Sequence, residues 1–254
     1  VREFGAVFYR GPSLLTGEPI VGILTGLDTG SSNVKTGTMA QAWFLRAEIA
    51  PMDAVRVNAD AAICGDCKLR GNEGLDRRCY VAPWRSPYQV WSRFAEGGYP
   101  DLTWPELSAV VEGRAVRMAA YGDPAAAPFE TVRAVLASAA TFTAYTHQWR
   151  RCDPRFKAIC MASVDTIDEF HAAHLAGWRT FRIRDEDDGL LSRRQAVLEF
   201  VCPASNEAGH RTTCDRCGLC RGTSSPARSV AIFPHGHNGA LTAFYRSRQE
   251  ALAS

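Results

Sequence analysis

The sequence predicts an α/β fold: a parallel (β/α) barrel, partial or full, preceded by an N-terminal β-rich extension. Three observations predict it. Short runs rich in β-branched and aromatic residues recur along the chain. The segments between them carry helix punctuation or have crossover length. Polar residues come directly after the ends of successive runs, where such folds keep their chemistry.

From residue 1 to about 48 the pattern is extended, with Gly5–Tyr9, Pro19–Leu24 and Ala40–Leu45 reading as strands. The polar stretch Thr29–Gly37 between them lacks the full spacing of a phosphate-binding loop and reads as a surface loop. Residues 1–48 are thus expected to form the extension, packed on a barrel-like domain of residues 49–254 that carries two cysteine-rich loops. Helix signals then alternate with strands. Ser86-Pro87-Tyr88-Gln89 offers an N-cap, a first-turn proline and a capping-box glutamine, and Gly97-Gly98 a stop. Thr103 with Glu106, and Thr166 with Glu169, repeat the device. In the last of these helices Ile167, Phe170, His174 and Leu175 fall on one stripe, which makes His174 a packing residue. The intervening strands are Ala115–Tyr121, Thr141–Thr146, Ala158–Ser163, Thr180–Arg184, Val197–Val201 and Ser229–Phe233.

The residues just past those strands form an expected polar rim: Gly122-Asp123-Pro124, His147-Gln148-Trp149, Asp165, Asp185, Cys202–Ser205 and His235-Gly236-His237. The acidic run Asp185–Asp188 reads as a solvated turn.

At 254 residues, 46% hydrophobic and 22% charged, the chain has the composition of a globular protein with a sizeable core. Its 29 basic and 27 acidic residues leave a formal charge of +2, so no global field draws it to nucleic acid or anionic lipid. No run approaches the roughly 18 apolar residues of a membrane span, and Val1-Arg2-Glu3-Phe4 is unlike a signal peptide. A cytoplasmic location with no membrane partner is the expectation.

Seven of the nine cysteines fall into two tight groups, a pattern that in a reducing compartment favours metal over disulfides. The first is Cys64-Gly-Asp-Cys67 with Cys79, placed after the short apolar segment Ala61-Ala62-Ile63; the second is Cys202 with Cys214-Asp-Arg-Cys217-Gly-Leu-Cys220. Four thiolates suffice to close a site around zinc or a four-iron cluster, and the Cys-x-x-Cys-x-x-Cys run leans toward iron-sulfur. Three thiolates leave a coordination position open, which is where chemistry would occur; the alternative is a structural zinc whose fourth ligand, a histidine or Asp66, is distant in sequence or unrecognised. Cys152 and Cys160 stand alone, the latter as a core thiol.

This layout resembles that of the radical S-adenosylmethionine (radical SAM) enzymes, which have a partial or complete α/β barrel, a three-cysteine loop after the first barrel strand and a Gly-Gly-Glu-Pro motif after the second. Cys64, Cys67 and Cys79 resemble the former and Tyr121-Gly122-Asp123-Pro124 the latter, over roughly residues 59–235. The family pattern is Cys-x-x-x-Cys-x-x-Cys, whereas this chain has Cys-x-x-Cys and then eleven residues before Cys79. The resemblance implies a [4Fe-4S] cluster on Cys64, Cys67 and Cys79 whose open iron takes the amino and carboxylate groups of S-adenosylmethionine, with Gly122-Asp123 helping to hold the amino group. Cys202, Cys214, Cys217 and Cys220 would resemble the auxiliary clusters of several subfamilies. The overall pattern also resembles uncharacterised proteins of phages and prophages, a likeness that carries no activity.

The leading functional expectation is therefore an iron-sulfur enzyme of radical SAM type acting on an unnamed substrate, with His147, Asp165, Arg182 and Arg184 as candidate substrate contacts. The alternative is a non-catalytic protein, stabilised by zinc or iron-sulfur, that docks nucleic acid or another protein. Arg70, Arg77, Arg78 and Arg85 near the first group, and His210, Arg211, Arg216 and Arg221 around the second, would then meet phosphates while Trp84 and Trp149 stacked on bases, although the arginines by themselves read rather as solvated or as balancing thiolate charge. Hydrolytic zinc chemistry of the deaminase kind is disfavoured, because the sequence contains no His-x-Glu.

Overall fold

Parallel strands need crossovers, and the spacing of the apolar runs supplies them. In the computed structural model, which describes residues 5–28, 33–71, 76–184, 190, 192–193, 196–236 and 238–253, nine strands form one sheet. Strands β1 (Gly5–Pro12), β2 (Pro19–Thr25) and β3 (Ala40–Arg46) are an antiparallel meander. From β3 onward the pairing is parallel, through β4 (Ala115–Tyr121), β5 (Thr141–Thr146), β6 (Met161–Val164) and β7 (Thr180–Ile183). A ribbon of β8 (Ser192–Arg193) and β9 (Ala196–Val197) comes next, then β10 (Glu199–Val201) and β11 (Ser229–Ile232). The sheet ends in the order β7-β11-β10, so β11 inserts between its two predecessors, parallel to both.

The β3–β4 crossover holds α1 (Pro51–Arg56), α2 (Ala61–Cys64), α3 (Ser86–Ala95) and α4 (Trp104–Val111). Then α5 (Phe129–Ala137) links β4 to β5, α6 (Ile167–Leu175) links β6 to β7, α7 (Cys214–Cys217) lies between β10 and β11, and α8 (Asn238–Ala253) comes after β11. None of the described helices is long and apolar enough to cross a membrane.

Each strand run expected from the sequence carries a strand, two of them with the expected ends and the others with shifted ones. β6 starts at Met161 rather than Ala158 because Pro154–Ala158 form a 3-10 turn capped by the Asp153 carboxylate. The caps differ more. Thr103 and Glu106 make the expected capping box, whereas Ser86 lies inside α3, whose N-cap Arg85 offers no side-chain acceptor. In α6 the Thr166 hydroxyl accepts from the Glu169 N–H at 3.1 Å, but the Glu169 carboxylate turns to the Asp165 N–H and to Lys68. The buried residues of α6 are Glu169, Phe170 and Ala173; Leu175 is 88% exposed, and His174 stacks on Phe170 at 5.8 Å.

The sheet does not close into a full barrel: β1 and β10 are its edges. Closure is blocked at β1, where Val7 donates to the Pro100 carbonyl at 2.8 Å and accepts from the Leu102 N–H, so this stretch of the edge is already covered. The sheet nevertheless curves. Thr143 and Tyr145 of β5 and Phe200 of β10 line one small cavity, although four strand spacings, about 19 Å if flat, separate those strands. One face carries the core: Val116, Met118, Ala144, Ala162 and Val164, all fully buried, pack with Val132 and Val135 of α5 and Phe170 of α6. The alternate residues Arg117, Thr143, Tyr145, Ser163, Phe181 and Ile183 face the concave side.

Arg182 lies on the core face. Its Nε donates to Glu199 Oε2 at 3.1 Å and its Nη2 to Oε1, both side chains being fully buried. The pair spans β7 and β10 across β11, where Ala231 leaves room. Removing one partner strands a buried charge, which costs about 3–5 kcal/mol, while an apolar replacement of both is close to neutral. Glu199→Ala should therefore lose most of the protein's margin against urea, and Arg182→Met combined with Glu199→Leu should recover it, as read from unfolding midpoints.

Candidate metal centre

The first cysteine turn is built by helix α2, whose Ala62 and Ile63 are buried and whose last carbonyls point away from the helix. Three elements satisfy them. Ser13 Oγ donates to the Ala62 carbonyl at 2.6 Å, the Asp123 N–H to that of Ile63 at 2.7 Å, and Gln148 Nε2 to that of Cys64 at 2.9 Å. Asp123 and Gln148 come just after β4 and β5, so Cys64 is hung at the C-terminal ends of two neighbouring parallel strands. Gly65 then turns at φ +57°, and a Cβ there would sit 2.5 Å from Gln148 Oε1, so both conformation and space require glycine.

Cys79 is returned to the same place by a buried carboxylate. Asp60, 2% exposed, pairs with Arg70 Nη2 at 3.3 Å and Arg77 Nη1 at 3.1 Å, and Arg77 also donates to the Arg70 carbonyl. Arg70 and Arg77 are thus committed to folding the loop rather than to meeting phosphate. Cys64, Cys67 and Cys79 consequently line one cavity of about 370 Å³, together with Tyr121, Gly122, Asp123 and His147.

The second group forms beside it. Cys202, Cys214, Cys217 and Cys220 line a small cavity of about 10 Å³ against Tyr145, Phe200 and Val230. Cys220 O accepts from the Ala144 N–H of β5 at 3.1 Å, and the Cys214 N–H donates to the Lys35 carbonyl at 2.8 Å. Gly218 caps α7 at φ +57°, and a Cβ there would meet Thr141 Oγ1 at 2.5 Å. Asp215 ties this turn to the loop before β3, accepting from Thr38 N at 2.9 Å, Thr38 Oγ1 at 3.0 Å, Arg216 N at 2.9 Å and the Thr213 hydroxyl. Cys214 reaches both cavities.

The electrostatics describe thiols waiting for a cation. Burial, then the charges of Asp60, Cys67 and Cys79, raise the Cys64 thiol well above its ordinary value, and Arg77 only partly opposes them. Cys79 is raised by burial against the opposing Arg77. In the second group burial carries Cys214 up to about 11 and Cys220 to about 12. Metal binding at either group would therefore displace protons. Around the first group, Arg77 Nε and Nη2, Tyr121 Oη and His147 Nε2 are buried and find no hydrogen-bond partner among the described residues. Such donors cost free energy unless something accepts from them, and the sulfides of a bound cluster are acceptors of that kind. Among the described residues no group of three or more His, Cys, Asp or Glu is drawn together closely enough to hold a metal ion as it stands. The unpaired polar atoms beside three thiols are the feature of the first group that fits a cluster.

The remaining predicted residues divide. Tyr121, Gly122, Asp123 and His147 line the cavity, and Pro124 opens the buried 3-10 turn behind it. The Asp123 carboxylate is spent on the chain itself, accepting from Ala125 N, Thr146 Oγ1 and His147 N at 3.0, 2.8 and 2.8 Å. Burial alone would lower His147, but the charge of Cys67 and a side-chain hydrogen bond with it, then the charges of Asp165 and Asp123, outweigh it and carry the imidazole up to about 10. Asp165 is half-buried beside His147, Arg182 lies on the opposite face, and Arg184 stacks over Phe233 at 4.7 Å; none of these three lines the cavity. Asp185, the rest of the acidic run, His237 and Thr29–Ser32 lie outside the described residues. The sequence reading missed Lys35, Asp60, Tyr80 and Arg117. Only Arg117 left a signal, as the lone charge inside the apolar run Ala115–Tyr121.

Asp215→Ala should release the second cysteine turn, costing about 1–3 kcal/mol for charged hydrogen bonds at a half-buried site. Burial works against the Asp215 carboxylate, but its hydrogen bonds hold the pKa below the ordinary 3.8. The contribution is thus present above about pH 4 and is lost as pH falls through the folded value. Urea melts of wild type and variant should differ at pH 7 and converge in acid. Comparison with family models, with curated proteins and with solved structures returned no match.

Proposed function

We propose that the chain is an iron-sulfur enzyme of radical SAM type, with an open cluster on Cys64, Cys67 and Cys79 at the mouth of a partial barrel. One observation carries the reading: these three thiols and the Tyr121-Gly122-Asp123 turn line the same cavity, at the ends of consecutive parallel strands. When bound, the cluster would supply the electron that cleaves S-adenosylmethionine. The chain's own part is to position and to exclude water. Gln148 and Asp123 fix the Cys64 turn; Arg77 and Tyr121 hold unpaired polar atoms close to the thiol group, and His147 lies against Cys67. Because the Asp123 carboxylate is internally bonded, an amino group held at this turn would meet its backbone rather than that carboxylate. Arg182, committed to Glu199, has no part in substrate contact. The second group reads as a closed structural or redox site. The chemistry requires a reducing compartment, consistent with a cytoplasmic chain.

Iron and sulfide content of anaerobically purified protein, with formation of 5′-deoxyadenosine under reducing conditions, tests the reading. About eight irons per chain and cleavage are expected. Cys64→Ala, Cys67→Ala and Cys79→Ala should each abolish cleavage with the fold retained, whereas Cys214→Ala, Cys217→Ala and Cys220→Ala should cost solubility. A colourless protein holding one or two zincs after cluster reconstitution would overturn the reading and favour the metal-stabilised docking protein.

A further inference from the structure

The cavity between the two cysteine groups has a charge imbalance in its lining, on the side where Cys214 also reaches it. Its lining includes Lys35, Arg78 and Arg117, but among the described residues Asp123 is the one carboxylate there, and its oxygens are filled by the chain. Arg78 is engaged too, donating to Ser247 Oγ at 2.7 Å and to the Lys68 carbonyl at 2.9 Å. Arg117 and Lys35 have no carboxylate partner among the described residues. Arg117 projects from the concave face of β4 and donates Nη2 to Tyr80 Oη at 2.7 Å, and the Tyr80 ring in turn lies against His235 at 4.9 Å. This fixes the guanidinium at the cavity wall with its remaining donors available. Part of the wall is apolar and aromatic: Tyr145 packs edge-on against Phe181 at 4.7 Å, and Leu241 and Phe244 of α8 close the side. A space of about 370 Å³ suits a small molecule.

We propose that this cavity takes an anionic small molecule with a planar apolar body, its carboxylate or phosphate bound by Arg117 and Lys35 and its ring against Tyr145, Phe181 and Phe244. The proposal deepens the reading of the cavity as a substrate site, but it rests on the lining residues and not on a cluster. A forked guanidinium beside an ammonium is the arrangement that recognises such anions, and the aromatic wall rewards a ring over a sugar or an aliphatic chain.

The test is calorimetric titration with 2-naphthyl phosphate, 2-naphthoate and the neutral 2-naphthamide, on protein whose iron content and S-adenosylmethionine cleavage are measured in the same preparation. At least one anion should bind roughly tenfold or more tightly than the amide, and which one does so separates phosphate from carboxylate. Arg117→Met should lose that preference by a similar factor, and Lys35→Met should weaken it, with melting temperature and metal content unchanged. Equal affinity for the amide, or anion binding untouched by both substitutions, overturns the proposal. So does a wild type that ignores the anions while Arg117→Met sheds metal, which would make Arg117 the counter-ion of the Cys214 group. The comparison of charged and neutral probes on wild type needs no variant to fold. Discrimination without iron or cleavage upholds this proposal while the radical reading fails; iron and cleavage without discrimination do the reverse.

Discussion

The helix-end carbonyls of α2 are the constraint on which the site depends. A four-residue helix leaves its last C=O groups without internal partners, and burying them unpaired would cost more than so short a helix can return. The protein satisfies them with the Asp123 amide and the Gln148 side chain, both delivered by strand ends. The location of Cys64 is thereby tied to the register of β4 and β5, and the turn cannot shift without breaking the sheet's C-terminal edge. Asp60 does the complementary work, drawing Arg70 and Arg77 inward so that Cys79 comes back over a loop that shares no strand with it.

Desolvation then sets the chemistry of both groups. Thiols taken out of water beside one another stay protonated, because each thiolate would face burial and its neighbours' charge with little compensation. A metal reverses that balance at once, which is why such sites couple metal binding to folding and to proton release. The two groups are not isolated: Cys214 touches both cavities, and Arg117 stands between them on the concave face of β4. The curvature that brings β5 and β10 around one loop makes this meeting happen.

Much of this was legible in the sequence, because strands and helix stops obey local rules. Ala115–Tyr121 and Thr141–Thr146 were bounded to the residue. The grouping of thiols within each loop came from Cys-x-x-Cys spacing. The features that escaped were non-local. Nothing near Glu199 says that it will bury against Arg182 two strands away, so an arginine expected at the substrate sits in the core instead. Nothing in Arg70 and Arg77 marks them as partners of Asp60 rather than of phosphate. Ala119 adopts φ +61° where the pairing of β3 with β4 shifts register, a strained bulge at an ordinary alanine that gives no sequence sign. Closure failed for a similar reason, since residues 100–102 cover part of the β1 edge from a distant loop.

The central claim is that the Cys64, Cys67 and Cys79 site presents an open iron to the cavity. The electron paramagnetic resonance spectrum of the dithionite-reduced protein, recorded with and without S-adenosylmethionine, addresses that iron directly. The account predicts a cluster component whose g values shift when S-adenosylmethionine is added and which is lost in Cys67→Ala, while any component of the second group stays. A spectrum that S-adenosylmethionine leaves unchanged throughout, or no cluster signal after reconstitution, would contradict it.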